Sequence, residues 1–147
     1  MSYSFSKRSL SNLEGVHPDL IRVAMLAIKL SEQDFMITEG VRTPSRQAEL
    51  YGQGRNAAEL TAKGIDPALA KPKAKKVTWT LNSNHFKKAS GYGHAIDIVP
   101  FPVDWDDPKK FDAIAKAFKT AAAQAGVKIT WGGDWNTPDR PHFELTS

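Results

Sequence analysis

Residues 95–100, AIDIVP, place one carboxylate inside an otherwise apolar stretch. Its Ile and Val residues give it strand character, and Pro100 and Pro102 stop it. A carboxylate in such a strand is costly unless it is paired or bound to a metal ion. Any fold of this chain must therefore bring Asp97 a partner, through a buried salt bridge, a turn-capping contact or an ion. There is no cysteine, and the only histidines are His17, His85, His94 and His142. Disulfide-stapled folds are excluded, and a metal site has to be built from His, Asp or Glu.

Around this strand, helices and short strands follow one another in mixed order. Residues 17–31 read as a helix with Pro18 at its first position. Leu20, Val23, Ala24, Ala27 and Leu30 form its apolar face. FMIT at 35–38 reads as a short buried strand. Pro44 and Ser45 mark a turn, with Ser45 as N-cap of a helix to about Tyr51 that Gly52 and Gly54 end. VTWTL at 77–81, VKITW at 127–131 and HFEL at 142–145 read as further strands. A long helix is expected from about Pro108 to Ala125, capped by Asp106 or Asp107 and followed by Gly126. Phe111, Ile114, Ala115, Phe118 and Ala122 make its apolar face. With no βαβ repeat, this order argues for an α+β fold. At 147 residues and 41% hydrophobic content, one domain with a real core is expected, residues 1–147.

Residues 56–76 differ in character. Lys63, Lys71, Lys73, Lys75 and Lys76, with Pro67 and Pro72, suggest an irregular, solvated insertion with one helical turn at most. The lysines either grip an anionic surface or are simply solvated. Net charge is +4, which favours anionic partners such as nucleic acid, acidic lipid or cell wall. No helix-turn-helix, RNA-binding or zinc-finger signature accompanies that charge, so nucleic acid is not an expected partner. No apolar run approaches a membrane span. The start, MSYSFSKRSLSNLEG, lacks the apolar stretch of a secretory signal. The chain is expected to be made in the cytoplasm, without stable membrane association.

Three polar clusters adjoin the strands: SNH at 83–85, GYGHAID at 91–97 and DRPH at 139–142. Loop–strand junctions let a rigid scaffold aim side chains into a cleft. Side chains alternate along a strand, so Ala95 and Asp97 share one face while His94, Ile96 and Ile98 share the other. His94 is then turned away from Asp97, whereas His85 lies on a loop free to fold over it. This favours His85, Asp97 and His142 as ligands, with His94 on the cleft wall. Two His and one carboxylate with an open fourth position make a common catalytic zinc site. Asp139, three residues before His142, is placed to take a proton from metal-bound water. Arg42 follows an apolar strand and either points into the cleft, binding a carboxylate or a developing oxyanion, or lies on the surface. His17, beside Pro18, is assigned to helix entry. Trp79, Trp131 and Trp135 either wall a groove or pack in the core.

These residues resemble the family of zinc D-Ala-D-Ala carboxypeptidases and L-alanyl-D-glutamate endopeptidases, within the wider hedgehog-like group. The resemblance rests on Ser83-Asn84-His85, then Gly93-His94-Ala95-Ile96-Asp97, then Asp139-Arg140-Pro141-His142. The Gly40-Val41-Arg42-Thr43 segment with Gln47 adds to it, and the likeness spans nearly the whole chain. The tail WGGDWN followed by His142-x-Glu144-Leu145, and the acid of Asp139-x-x-His142, an Asp, point to phage endolysins that hydrolyse the L-Ala–D-Glu bond of peptidoglycan. The resemblance implies a small antiparallel sheet flanked by helices and zinc on His85, Asp97 and His142. It further implies Asp139 as base, Arg42 stabilising the transition state, and Ser83 and Gln47 as supporting residues. His85 precedes Asp97 by twelve positions, more than is usual in the family. FKKASGY therefore enlarges this loop, and His94 stands as the alternative first ligand. The expected enzyme is a monomer with no separate wall-binding domain, acting on peptidoglycan after release through the inner membrane. A D-Ala-D-Ala carboxypeptidase and a non-catalytic basic cell-wall or nucleic-acid-binding module are the rival readings.

Overall fold

The computed structural model describes residues 2–78, 81 and 83–146. Local signals place its helices. Helix α1 (Lys7–Asn12) is capped by Ser6, whose side chain accepts from the Ser9 amide. Helix α2 (Pro18–Leu30) starts where the Nδ1 of His17 accepts from the Asp19 amide, with Pro18 in the first turn. Its buried face is Leu20, Val23, Ala24, Ala27 and Ile28. Leu30, expected on that face, is exposed. At 3.6 residues per turn Ile28 and Leu30 lie about 80° from Leu20 on opposite sides of the stripe, and only the Ile28 edge is buried.

Strand β1 (Phe35–Glu39) leads to α3 (Pro44–Gly52), whose N-cap is Thr43 and not Ser45. Pro44 needs no amide partner in the first turn, so the cap falls on the residue before it. In the lysine-rich segment, Asn56 and Glu59 form a capping box that starts α4 (Ala57–Ala62). A 3-10 turn follows at Pro67–Leu69. Leu60 is fully buried, and backbone bonds from Gly54 N to Lys71 O (2.8 Å) and Lys71 N to Gly52 O (3.0 Å) pin the segment to the end of α3. It is more ordered than its composition suggests, while Lys63, Lys71, Lys73, Lys75 and Lys76 stay exposed. The strand expected at 77–81 is not seen: Val77 and Thr78 lie in no regular element and Leu81 lies in a bend. Trp79 and Thr80 are outside the described residues.

Strand β2 (Ala95–Pro100) and helix α5 (Pro108–Ala125) follow, α5 being capped by the Asp107 side chain and closed by Gly126 at φ 70°. Gly126 takes the left-handed conformation, and Val127 N bonds back to Ala122 O at 3.0 Å. That wrap delays the next strand, so β3 is Ile129–Trp131 and not 127–131. A 3-10 turn, Gly132–Asp134, leads toward β4 (His142–Leu145).

The four strands form one antiparallel sheet in the order β1-β2-β4-β3. Ile37, Ile96, Ile98 and Phe143 join one core with α2 and α5, and the rings of Phe118 and Phe143 stack at 4.0 Å. Each such side chain contributes about 1.5–3 kcal/mol when fully buried, so this apolar face anchors the sheet and leaves the other free for polar work. Helix α1 covers edge strand β1. The Ile37 amide donates to Ser9 Oγ (3.1 Å), and Asn12 Nδ2 donates to Ile37 O (2.8 Å). Among the described residues no helix is long and apolar enough to cross a membrane.

Candidate metal centre and active site

A row of polar side chains crosses three strands on the face away from the core. In register, Glu39 of β1 pairs with Asp97 of β2, and Asp97 pairs with His142 of β4. Glu39 reaches this row through an irregularity in β1. Ile37 pairs with Ile98 and Glu39 with Asp97, so β1 advances two residues while β2 advances one. Without that bulge, Glu39 would share the core face with Ile37.

His85 arrives from the loop before β2. Ser83 Oγ accepts from the His85 amide at 3.1 Å, and the Arg42 amide donates to His85 O at 2.9 Å. The ring is 1% exposed, and its Nδ1 lies 2.8 Å from Gly40 O. A carbonyl only accepts, so Nδ1 carries the proton and the Nε2 lone pair points inward. His142 is arranged the opposite way round. Its Nε2 lies 2.7 Å from Glu144 Oε1, which leaves Nδ1 facing the cluster.

Three acceptor atoms thus converge. His85 Nε2 and His142 Nδ1 are 3.3 Å apart, and they lie 3.5 Å and 3.4 Å from Asp97 Oδ1. These three residues could hold a metal ion. Bonds of about 2.0–2.1 Å to a tetrahedral ion put neighbouring ligand atoms about 3.3–3.4 Å apart. The observed triangle matches one face of that tetrahedron. Burial opposes the charge of Asp97, but the bonds and charges of His142 and His85 outweigh it and hold the carboxyl well below the usual range. Burial likewise works against charge on His142, yet Asp97 and Glu144 push its imidazole up to about 9. The depressed carboxyl and the raised imidazole stabilise each other's charge.

Arg42 lies beside this triangle, with 10% of its side chain exposed. Its Nε and Nη2 make a bidentate pair with Glu39 at 2.9 and 2.8 Å. Nη2 also donates to Asp97 Oδ2 at 3.2 Å, and Nη1 to Gln47 Oε1 at 2.8 Å. Four of its five N–H groups are therefore engaged within the protein. Buried Gln47 passes the chain on, its Nε2 donating to Thr78 Oγ1 at 3.0 Å. Arg42 binds the Asp97 oxygen that faces away from the histidines.

Asp139 sits on the loop before β4. Its amide donates to Gly132 O at 2.8 Å, and its carbonyl accepts from the His142 amide at 3.1 Å. Gly132 is required for this approach, because a Cβ there would collide with the Asp139 carbonyl oxygen. Desolvation by the walls of the cleft and the charge of Asp97 raise the Asp139 carboxyl, against His142, His85 and Arg42. A raised carboxyl beside a cation site has the character of a proton acceptor. A cleft of about 370 Å³ runs from Asp139 past Arg140 and Pro138 to Trp105 and Lys75. Trp135 is partly exposed, with its ring 5.1 Å from that of His142. Trp131 is a core residue, and Trp79 lies outside the described residues.

His94 lies outside the metal-binding group. Its Nε2 is 2.9 Å from Ser90 Oγ, and its ring packs edge-on against His17 at 5.3 Å. The enlarged loop closes on itself through Gly91 N to Lys88 O and Lys88 N to Tyr92 O, each 2.9 Å.

A family model described as phage L-alanyl-D-glutamate peptidase matches residues 1–146. The chain belongs to that family. It is 34% identical over 148 residues to the L-alanyl-D-glutamate peptidase of Escherichia phage T5, with 99% of this chain and 90% of that protein covered. Among solved structures it resembles the Serratia marcescens L-Ala D-Glu endopeptidase ChiX. There the TM-score is 0.72 and the identity 36%, over 99% of this chain and 91% of that one.

Three residues of the site have no role assigned from the sequence: Glu39, Asn84 and Glu144. Glu144 stands two positions after His142 on the same strand face, a spacing that could have exposed it. Asn84 lies within the quoted SNH cluster, and its Nδ2 donates to Glu144 Oε2 at 2.7 Å. Glu39 carries no such signal, because only the bulge turns it to the site.

Proposed function

We propose that this chain is a zinc-dependent phage endolysin that hydrolyses the L-alanyl-D-glutamate bond of peptidoglycan stem peptides. The observation that carries the reading is the tetrahedral-edge triangle of His85 Nε2, His142 Nδ1 and Asp97 Oδ1 with Asp139 on the adjoining loop. Membership of the L-alanyl-D-glutamate peptidase family supports the choice of bond. In this reading His85, Asp97 and His142 hold zinc. The enzyme is made in the host cytoplasm and meets its substrate after release.

His85, Asp97 and His142 would hold the zinc, which when bound would supply Lewis acidity for the scissile carbonyl and for water. Asp139 takes the proton of the attacking water as the C–O bond forms. It returns that proton to the D-glutamate nitrogen as the C–N bond breaks, so the amine leaves neutral. Arg42 fixes Asp97 through Oδ2 and adds positive charge beside the developing oxyanion. Gln47 holds Arg42, Ser83 holds the turn of His85, and His94 forms part of the surrounding wall.

The test is digestion of purified peptidoglycan, with mass spectrometry of the new termini. New C-terminal L-alanine and N-terminal D-glutamate are expected, abolished by a chelator and restored by zinc. Release of free D-alanine instead would establish a carboxypeptidase. Intact wall after digestion with the metal-loaded protein would leave only a binding role.

A further inference from the structure

We propose that Glu144 is a positioning residue that sets the ligating nitrogen of His142 and, through Asn84, ties the two histidine-bearing segments into one unit. The inference rests on the metal reading above and concerns residues to which no role has been given. Glu144 follows His142 by two positions on β4, so both side chains rise from one face of the sheet. Opposite Glu144 in the register stand Ala95 on β2 and Thr130 on β3. The small Ala95 leaves space for a carboxylate to lie across β2.

The two oxygens of Glu144 do different jobs. Oε1 accepts a hydrogen bond from His142 Nε2 at 2.7 Å, and Oε2 accepts one from Asn84 Nδ2 at 2.7 Å. An imidazole whose Nε2 is held as a donor presents its Nδ1 lone pair. That Nδ1 lies 3.3 Å from His85 Nε2 and 3.4 Å from Asp97 Oδ1. His85 reaches the same point through its other nitrogen, because Gly40 O holds its Nδ1 proton. One acceptor is a fixed backbone carbonyl and the other a side-chain carboxylate, so the orientation of His142 depends on Glu144.

Asn84 extends the effect to His85. It is the neighbour of His85 in sequence, and its carbonyl accepts from the His94 amide at 2.7 Å at the entry to β2. Glu144 thus joins β4, the 83–85 loop and the start of β2 around the ligand triangle. In metal sites, partners of this kind typically change metal affinity about 10–100-fold when removed.

The experiment compares the parent with Glu144→Ala, Glu144→Gln, Asn84→Ala and the double variant Glu144→Ala/Asn84→Ala. Zinc affinity is measured by chelator competition, the visible spectrum is recorded with cobalt in place of zinc, and folding is followed by thermal unfolding. Glu144→Ala is expected to weaken zinc about 10–100-fold and to alter the cobalt spectrum. Glu144→Gln, whose amide oxygen still accepts the Nε2 proton, should recover part of the loss and the parent spectrum. The double variant should lose less than the sum of the single losses, because both act through one link. Folded Glu144 variants with parent affinity and parent spectrum would overturn the inference. A parent that binds no metal would instead overturn the zinc reading on which it stands.

Discussion

Asp139→Asn separates proton transfer from metal binding. The backbone of Asp139, not its carboxyl, holds the loop: N–H to Gly132 O at 2.8 Å and C=O from the His142 amide at 3.1 Å. Asn keeps both bonds and nearly the same volume. It also removes a negative charge that stands against Asp97. Stability should therefore change by no more than about 0.5 kcal/mol, or about 1–2 °C in Tm for a chain of this size. Zinc should stay, because Asp139 is not one of the three residues that could hold the ion. Activity should collapse, since general-base catalysis typically contributes about 10²–10⁴-fold. That range corresponds to about 2.7–5.4 kcal/mol on the barrier, at about 1.36 kcal/mol per decade. The assay is kcat on a soluble muropeptide, with zinc content measured on the same preparation. A variant with full zinc and kcat within about tenfold of the parent would refute the assignment of the base. A variant that loses its zinc would show that Asp139 acts as a ligand.

Three further outcomes are expected. Arg42→Lys keeps the charge but cannot reproduce the fork on Glu39 with its bonds to Gln47 and Asp97. Its kcat should fall by about 10²-fold or more, with KM little changed, and an unchanged kcat would confine Arg42 to a structural role. His94 should titrate below 6.5, because desolvation and the nearby positive charges of His17 and Lys88 disfavour its imidazolium. The folded state then binds fewer protons than the unfolded chain, so His94 favours folding above pH 6.5 and that benefit is lost as pH falls through its folded pKa. NMR should show this titration persisting in zinc-loaded protein, whereas a zinc-bound His94 would stop titrating. Changing the exposed Lys71, Lys73 and Lys76, which do not line the cleft, together to Gln should weaken sedimentation with intact peptidoglycan at low salt while sparing cleavage of a soluble peptide. The difference should vanish as the Debye length shrinks from about 10 Å at 0.1 M to about 3 Å at 1 M salt. Equal sedimentation at low salt would make the segment a plain solvated surface.

The elements whose signals are local are legible in the sequence. Pro18, Pro108 and Gly126 bound α2 and α5, and the 3.6-residue spacing of Phe111, Ile114, Ala115 and Phe118 marks the buried face of α5. The departures there are local too, at Leu30 and at the Thr43 cap, where a neighbouring residue carries a competing signal. The capping box of Asn56 and Glu59 was present but hidden by the lysines around it. The need of Asp97 for a partner was also legible, because an apolar strand cannot hold a bare carboxylate. Strand alternation then favoured His85 over His94, and the structure brings His85 and not His94 to Asp97.

What remained hidden depends on contacts between distant parts of the chain. Arg42 and Asp97 are 55 positions apart, and Asn84 and Glu144 are 60 apart. Nothing in the spacing of either pair says they meet, because strand register and loop path decide it. The bulge in β1 turns Glu39 out of the core, and the resulting clamp engages a guanidinium that the sequence left open to the cleft or the surface. The choice of imidazole nitrogen is of the same kind. His85 presents Nε2 because a carbonyl of the 40–42 turn holds its Nδ1, and His142 presents Nδ1 because Glu144 holds its Nε2. Residue types state which chemistry is available, but the nitrogen that faces the ion and the donors that remain for substrate follow from hydrogen bonds made only when the sheet has closed.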